Sequence, residues 1–297
     1  MQNILVTGSY GQLGCEIRKI SKNYPDFTWQ FHDLDTLDIT VYDTLANYFR
    51  TNLFDFIINC ASYTQVDLAE KDPETAYKAN VQGPENLSKL AQLHAVKLIH
   101  ISTDYVFDGK KGSSYLEDDT PNPLSVYGKT KLKGEEHVLS NGENIVIRTS
   151  WLYSSFGNNF VKTMVNLSHE KESIKVVSDQ VGSPTYAGDL AEAILNIISA
   201  VSTNSNAYKP GIFHYSNEGS CSWHELAQAI VQLSGTDCTI IPIKTEEYPL
   251  PAERPPLSVM DKEKIKSQYH LQIPEWKESL AICLEIIQKR NSTNGNK

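Results

Sequence analysis

Short apolar, β-branched runs punctuate the first half of the chain at Ile4–Thr7, Phe56–Asn59, Val96–Ser102 and Asn144–Thr149, with a weaker one at Thr28–His32. Runs this short and continuous fit strands buried on both faces. Between them, apolar residues recur at helical spacing over Val41–Thr51, Ala76–His94 and Val126–Leu139. Buried strands alternating with helices predict βαβ units, and right-handed crossovers then favour a doubly wound parallel sheet. Beyond about Trp151 the rhythm loosens. Turn-rich pieces appear at Ser154–Asn159, Gly182–Tyr186 and Ser216–Ser220, and a proline-dense stretch runs from Pro249 to Pro256. Helices are expected at Asp189–Ile198, Trp223–Leu233 and Trp276 to about Gln288, with a frayed polar tail over 289–297.

Composition narrows the function classes. The chain has 297 residues, 40% hydrophobic and 21% charged, an ordinary globular balance that excludes a disordered, collagen-like or repeat-dominated protein. Against 36 acidic side chains stand 27 Lys and Arg, a net charge of −9, with no basic run; a general nucleic-acid binder is excluded, while anionic small substrates stay open. The five cysteines, Cys15, Cys60, Cys221, Cys238 and Cys283, are scattered without a C-x-x-C pair, which reads as reduced thiols rather than a disulfide frame or zinc site. No basic leader, cleavage site or apolar stretch of about 20 residues is visible, so the expectation is a cytoplasmic protein off the membrane.

The first strand runs into Gly8-Ser-Tyr-Gly11-Gln-Leu-Gly14 and then a helical pattern from Gln12 to about Lys22. A backbone turning from strand to helix beside a pyrophosphate needs glycines for positive φ and close approach. The helix N-terminus then offers free N–H groups to the phosphates. Asp33 follows about 20 residues on, where an acid can grip an adenosine ribose; Asp35 stands close enough to share that reading. Such an acid favours NADH over NADPH by repelling a 2′-phosphate. The α/β fold expected is therefore of Rossmann type. Residues 1–151 form an NAD(P)-binding domain, joined by elements near 187–217, and 152–288 a smaller C-terminal α/β substrate-binding domain.

Tyr127-Gly-Lys-Thr-Lys131 opens the helix after Pro121-Asn-Pro123, and positions i and i+4 share a face. A phenol of pKa about 10 is a poor acid–base group at neutral pH, and a nearby ammonium is expected to lower it. Strand Val96–Ser102 delivers Thr103 and Asp104 at its C-terminal end, the edge where ligands sit in such sheets. Hydroxyl, phenol and ammonium make a carbonyl/alcohol redox site. Their order after the glycine loop resembles the extended branch of the short-chain dehydrogenase/reductase superfamily.

Within it, further runs resemble the dTDP-4-dehydrorhamnose reductase family: Leu37-Asp-Ile39, Asn59-Cys-Ala-Ser-Tyr-Thr-Gln-Val-Asp67, Asn80, Ser102–Gly109, Arg148-Thr-Ser-Trp151, Gly157–Phe160, Asp179–Thr185 and Arg254-Pro255. The resemblance implies NAD(P)H-dependent reduction of C4 of dTDP-4-dehydro-β-L-rhamnose, the last step of dTDP-rhamnose synthesis. It implies Tyr127 as proton donor, Lys131 as its partner and Thr103 as the assisting hydroxyl. Cofactor contacts are implied for Gly8, Tyr10, Gly11, Gln12, Leu13, Gly14, Asp33, Asp38, Ile39, Ser62, Tyr63, Thr64, Tyr127 and Lys131. Substrate contacts are implied for Val66, Thr103, Asp104, Trp151, Asn159 and Arg254. An aromatic ring at Trp151 suits the apolar face of a deoxysugar, and the Arg254 guanidinium suits a pyrophosphate, with a surface ion pair as its alternative. Asp67-Leu-Ala-Glu70 reads as a solvated face. Some members dimerise through magnesium; no acid cluster here has ligand spacing, so magnesium, NADH against NADPH, and monomer against homodimer stay open.

Three competitors are distinguishable. A 4,6-dehydratase would carry Glu where Tyr105 stands. A C4 epimerase would use the same Tyr and Lys with a retained cofactor. The regulatory β subunit of methionine adenosyltransferase resembles this family without catalysing the reaction, and fold alone does not decide against it. A reductase of a related 4-keto-6-deoxy sugar nucleotide is the other alternative.

Overall fold

The computed structural model describes residues 2–294, and side chains through Arg290. Strands β1 (Gln2–Thr7), β2 (Phe27–His32), β3 (Phe56–Asn59), β4 (Lys97–Thr103) and β5 (Ile145–Thr149) fall where the apolar runs predict them. Four short strands follow: β6 (Leu152–Tyr153), β7 (Ser173–Val177), β8 (Val181–Gly182) and β9 (Thr185–Tyr186). Then β10 (Gly211–His214) returns to the first sheet, before β11 (Cys221–Ser222) and β12 (Thr239–Ile243). The principal sheet has six strands in the order β10-β5-β4-β3-β1-β2, all parallel. This is the doubly wound topology expected.

Alternation along the strands builds two apolar layers. Ile4, Val6, Ile58, Ile99 and Ile147 face Leu13 and Ile17 of the Gln12–Ile20 helix and Leu190, Ile194 and Ile198 of the Ala187–Thr203 helix. Leu5, Ile57, Leu98 and Val146 face the other way, onto Leu45 and Phe49, Leu87 and Leu90, and Val138. A third cluster occupies the second half. There the Phe160–Glu170, Trp223–Ser234 and Trp276–Asn294 helices pack with the parallel pair β7 and β12.

Several elements depart from the expected pattern. The 76–94 helix begins at Pro73, where the Asp72 carboxylate accepts from Thr75 N at 3.2 Å. It then widens into a π turn at Lys78–Gln82 before continuing through Gly83–Leu93. Pro84 explains the widening, because it has no N–H for the Asn80 carbonyl and its ring would clash with that group in an α-helix. The Phe160–Glu170 helix and the β7/β12 pair are additions; Lys175 and Pro242 break the apolar runs that mark buried strands, and Pro242 is tolerated on an edge. The last helix extends beyond Gln288. It runs to Asn294, with Arg290 donating to Ser155 O at 3.2 Å and stacked over Phe156. Residues 295–297 of the expected tail lie outside the described residues. No described helix is long and apolar enough to cross a membrane.

Candidate active site

Strand order reverses between β1 and β3, so a crevice opens at their C-terminal ends. Gly8 turns out of β1 at φ +66°, and a Cβ there would stand 2.5 Å from Ala61 N. A Cβ on Gly14 would lie 2.4 Å from Gly8 O. Gly11 differs: its Cβ would meet only Gly8 O, at 3.2 Å, a tight contact rather than an overlap. No side chain caps the helix that starts at Gln12, which leaves its first N–H groups to a ligand. A dinucleotide pyrophosphate fits this glycine-walled cradle.

A cleft of about 540 Å³ joins the cradle to the ends of β4 and β5. Of the residues proposed for the cofactor, Gly8, Gly11, Gln12, Leu13, Ser62, Thr64, Tyr127 and Lys131 line it. Others support or flank it. Tyr10 is 60% exposed, and its N–H donates to Asp33 Oδ2 at 2.7 Å, which fastens the loop to the end of β2. Asp38 receives the N–H and hydroxyl of Thr40, both at 2.8 Å. Ile39 is buried against Gly83. Asn80 clamps Tyr63 through both backbone groups and donates to Thr130 Oγ1 at 3.1 Å on the following helix.

At the cleft floor, Thr103, Asp104, Tyr127 and Lys131 converge from β4 and the Val126–Leu139 helix. That helix is capped twice: Ser125 Oγ accepts from Gly128 N at 3.1 Å, and Glu70 Oε1 accepts from Val126 N at 2.7 Å. Gly128 and Gly134 allow close approach, since a Cβ on either would overlap the Tyr105 or Asn80 carbonyl. Thr103 Oγ1 donates to Asp104 Oδ1 at 3.1 Å. Burial pushes Asp104 up to about 7, against the hydroxyls of Ser258 and Thr103.

The expected ammonium-induced lowering of the Tyr127 pKa is not what this geometry produces. Desolvation pushes the phenol up to about 12, the Thr103 hydroxyl pulls it down, and the Asp104 charge pushes it up again. Lys131 is directed instead at Ile101 O, 2.6 Å away, and burial lowers it to about 8. Tyr127 is thus a protonated phenol at neutral pH, the form a proton donor needs.

Val66, Trp151 and Asn159 line the same cleft. Trp151 has a left-handed backbone, φ +48°, and its ring stacks on Trp223 with centroids 3.6 Å apart at 10°. Phe160 tilts against Trp223 at 4.7 Å. Trp223 and Phe160 belong to this wall and were absent from the predicted set; Trp223 opens a helix remote in sequence, although Phe160 closes the quoted 157–160 run. Asn159 caps the Phe160–Glu170 helix and also donates to Gln12 Oε1 at 2.9 Å, so it reaches the cofactor loop as well as the wall.

One reading is corrected. Arg254 makes a bidentate ion pair with Asp67, at 3.1 and 2.6 Å, the alternative its sequence context left open beside a pyrophosphate contact. Asp67 and Glu70 accordingly do not form a solvated face. Asp67 latches the proline-rich strap, taking Ala252 N as well at 3.1 Å, and Glu70 caps the Tyr127 helix. Arg254 holds the Asp67 carboxyl below its usual range, against desolvation, so the latch is intact above about pH 4 and lost as pH falls through the lowered value. Asp67→Asn is expected to speed proteolytic cleavage within 249–254 at neutral pH, as read by gel and mass spectrometry. No group of three or more His, Cys, Asp and Glu among the described residues is placed to hold a metal.

Comparison with known proteins decides the family. The RmlD substrate binding domain family matches residues 1–289. The chain belongs to it. It is 37% identical over 290 residues to a dTDP-4-dehydrorhamnose reductase of Aggregatibacter actinomycetemcomitans, covering 94% of this chain and 97% of that one. A crystal structure of a dTDP-4-dehydrorhamnose reductase from Clostridium acetobutylicum superimposes with a TM-score of 0.90 at 41% identity, over 96% and 99% of the two chains. A Bacillus anthracis dTDP-4-dehydrorhamnose reductase in complex with NADP gives 0.89 at 38%, over 95% and 98%. The match spans both halves of the chain.

Proposed function

We propose that the protein reduces the C4 carbonyl of dTDP-4-dehydro-β-L-rhamnose to give dTDP-β-L-rhamnose, with a nicotinamide dinucleotide as reductant. The observation that carries this reading is the convergence of Thr103, Tyr127 and Lys131 in one cleft with the glycine cradle. The cradle residues Gly8, Gly11, Gln12 and Leu13 hold the cofactor, whose reduced nicotinamide supplies the hydride for C4. Tyr127 gives its proton to the carbonyl oxygen as the alcohol forms, and Thr103 holds that oxygen. Lys131 keeps a positive charge behind the phenol. Asp104, Val66 and Trp151 meet the sugar, Trp151 as an apolar platform. In this reading residues 1–151 serve mainly the cofactor and 152–288 mainly the substrate.

Tyr105 supports reduction over dehydration: its ring packs edge-on to Tyr127 at 5.8 Å, where a dehydratase would place a carboxylate. Asp33 beside Tyr10 N would repel a 2′-phosphate, whereas the Bacillus anthracis relative is in complex with NADP, so both cofactors stay open. The five cysteines are free, which suits a cytoplasmic protein.

A coupled assay following cofactor oxidation tests the proposal. It uses dTDP-4-keto-6-deoxyglucose with a 3,5-epimerase, NADH and NADPH side by side, with and without magnesium. Turnover that requires the epimerase and yields dTDP-rhamnose is expected. Tight cofactor binding without turnover, together with a stoichiometric enzyme partner in pull-downs, would favour the regulatory-subunit reading.

A further inference from the structure

Three residues of the Val126–Leu139 helix lie on one stripe at i, i+4 and i+8: Tyr127, Lys131 and Glu135. The first two line the cleft, whereas Glu135 lies beneath it and is only 1% exposed. Arg148 of β5, equally buried, grips Glu135 with Nε 3.1 Å from both carboxylate oxygens and Nη2 2.7 Å from Oε2. Ser102 Oγ of β4 donates to Glu135 Oε1. A buried ion pair is costly to assemble and weak evidence of stabilisation, so its placement one turn below Lys131 calls for a reason.

The groups around Lys131 supply it. From β4, His100 is buried, and its Nδ1 lies 2.9 Å from Asn59 Nδ2; Asn59 Oδ1 is already taken by Thr7 Oγ1 and Ala61 N, so the His100 proton sits on Nε2. Burial and the Lys131 charge keep this imidazole neutral. From the end of β3, burial raises the Cys60 thiol, which stays protonated. Tyr127 on the same helix is protonated too. Among the described residues, the Ile101 carbonyl is the hydrogen-bond acceptor for Lys131 Nζ. Glu135, one helix turn from Lys131 on the same stripe, is therefore the carboxylate that offsets its desolvation.

We infer that Glu135, oriented by Arg148 and Ser102, is a positioning residue that maintains the positive charge of Lys131 and so sets the alkaline limit of the reaction. Its consequence for turnover rests on the reductase reading, but the charge coupling itself does not. The test is therefore made first on cofactor-free protein. Lysine labelled with ¹³C at Cε is titrated by NMR, with the Lys131 signal assigned through Lys131→Met.

Wild type should titrate near pH 8. Glu135→Gln removes the carboxylate and leaves Arg148 without its partner, and should lower the midpoint by about one to two pH units. The double variant Glu135→Gln/Arg148→Met leaves no unpaired buried charge, and should shift it in the same direction by less. The high-pH limb of kcat/KM should move with the NMR midpoint, separately from any limb due to Asp104. An unchanged Lys131 midpoint in folded Glu135→Gln would overturn the inference. If that variant does not fold, an unchanged midpoint in the double variant does so equally. Absence of reductase turnover in wild type, with the NMR shift intact, would count against the reductase reading alone.

Discussion

Tyr127→Phe is expected to lower kcat by about 10²–10⁴-fold, the usual range for a positioned general acid, while cofactor affinity stays close to that of wild type. The separation follows from geometry. The cradle that would hold the pyrophosphate is made by Gly8, Gly11 and the first turn of the Gln12–Ile20 helix, whereas the phenol comes from a different element, the Val126–Leu139 helix, beside Thr103 and Asp104. The aromatic body is retained, so its edge contact with Tyr105 persists and folding is not at stake. Cofactor binding by fluorescence titration and turnover by the coupled assay check the two halves of the prediction. Full activity in Tyr127→Phe would eliminate the proposed proton donor.

Gly11→Val should act at the cradle, raising the cofactor dissociation constant by about 10²-fold or more, equivalent to about 2.8 kcal/mol, with thermal stability nearly unchanged. Gly11 has φ −68°, which a β-branched residue adopts, and only Gly8 O stands near its Cβ position. The added methyls occupy the face a pyrophosphate would approach. Gly14→Ala is the contrasting control. Its Cβ would overlap Gly8 O and Ser9 Cα, at 2.4 and 2.6 Å, so it should lower Tm through overpacking of about 1–3 kcal/mol. Calorimetry on both variants separates loss of a ligand surface from loss of fold. Equal destabilisation in the two would show that Gly11 is needed for folding rather than for the cofactor.

What could be read from the chain follows the distance over which each feature is specified. The glycine loop is legible because Gly8 and Gly14 answer to backbone crowding within one strand–helix turn. Tyr127 and Lys131 are legible because one helix turn relates them. Glu135 obeys the same periodicity, and its signal was present; what the sequence did not show was Arg148 on the neighbouring strand giving it a partner. Asp67 looked solvated because Arg254 lies 187 residues away, and helical spacing says nothing about a strap that returns from the far end of the chain. Trp223 was invisible as a wall residue for the same reason. The β7/β12 pair failed on local grounds, its edge proline and charged position hiding a strand that tertiary packing nevertheless forms.

The Trp151 wall has a consequence for how such a pocket can diverge. Trp151 is held between Gly182, whose Cβ would come within 2.6 Å of the indole, and Trp223 stacked at 3.6 Å, on a backbone that a bulky side chain rarely adopts. A larger residue at 182 displaces the ring, and a smaller one at 223 withdraws its backing. Small changes at either place are therefore penalised before they can admit a new sugar. Reshaping this wall calls for coordinated replacement at three positions contributed by separate parts of the chain.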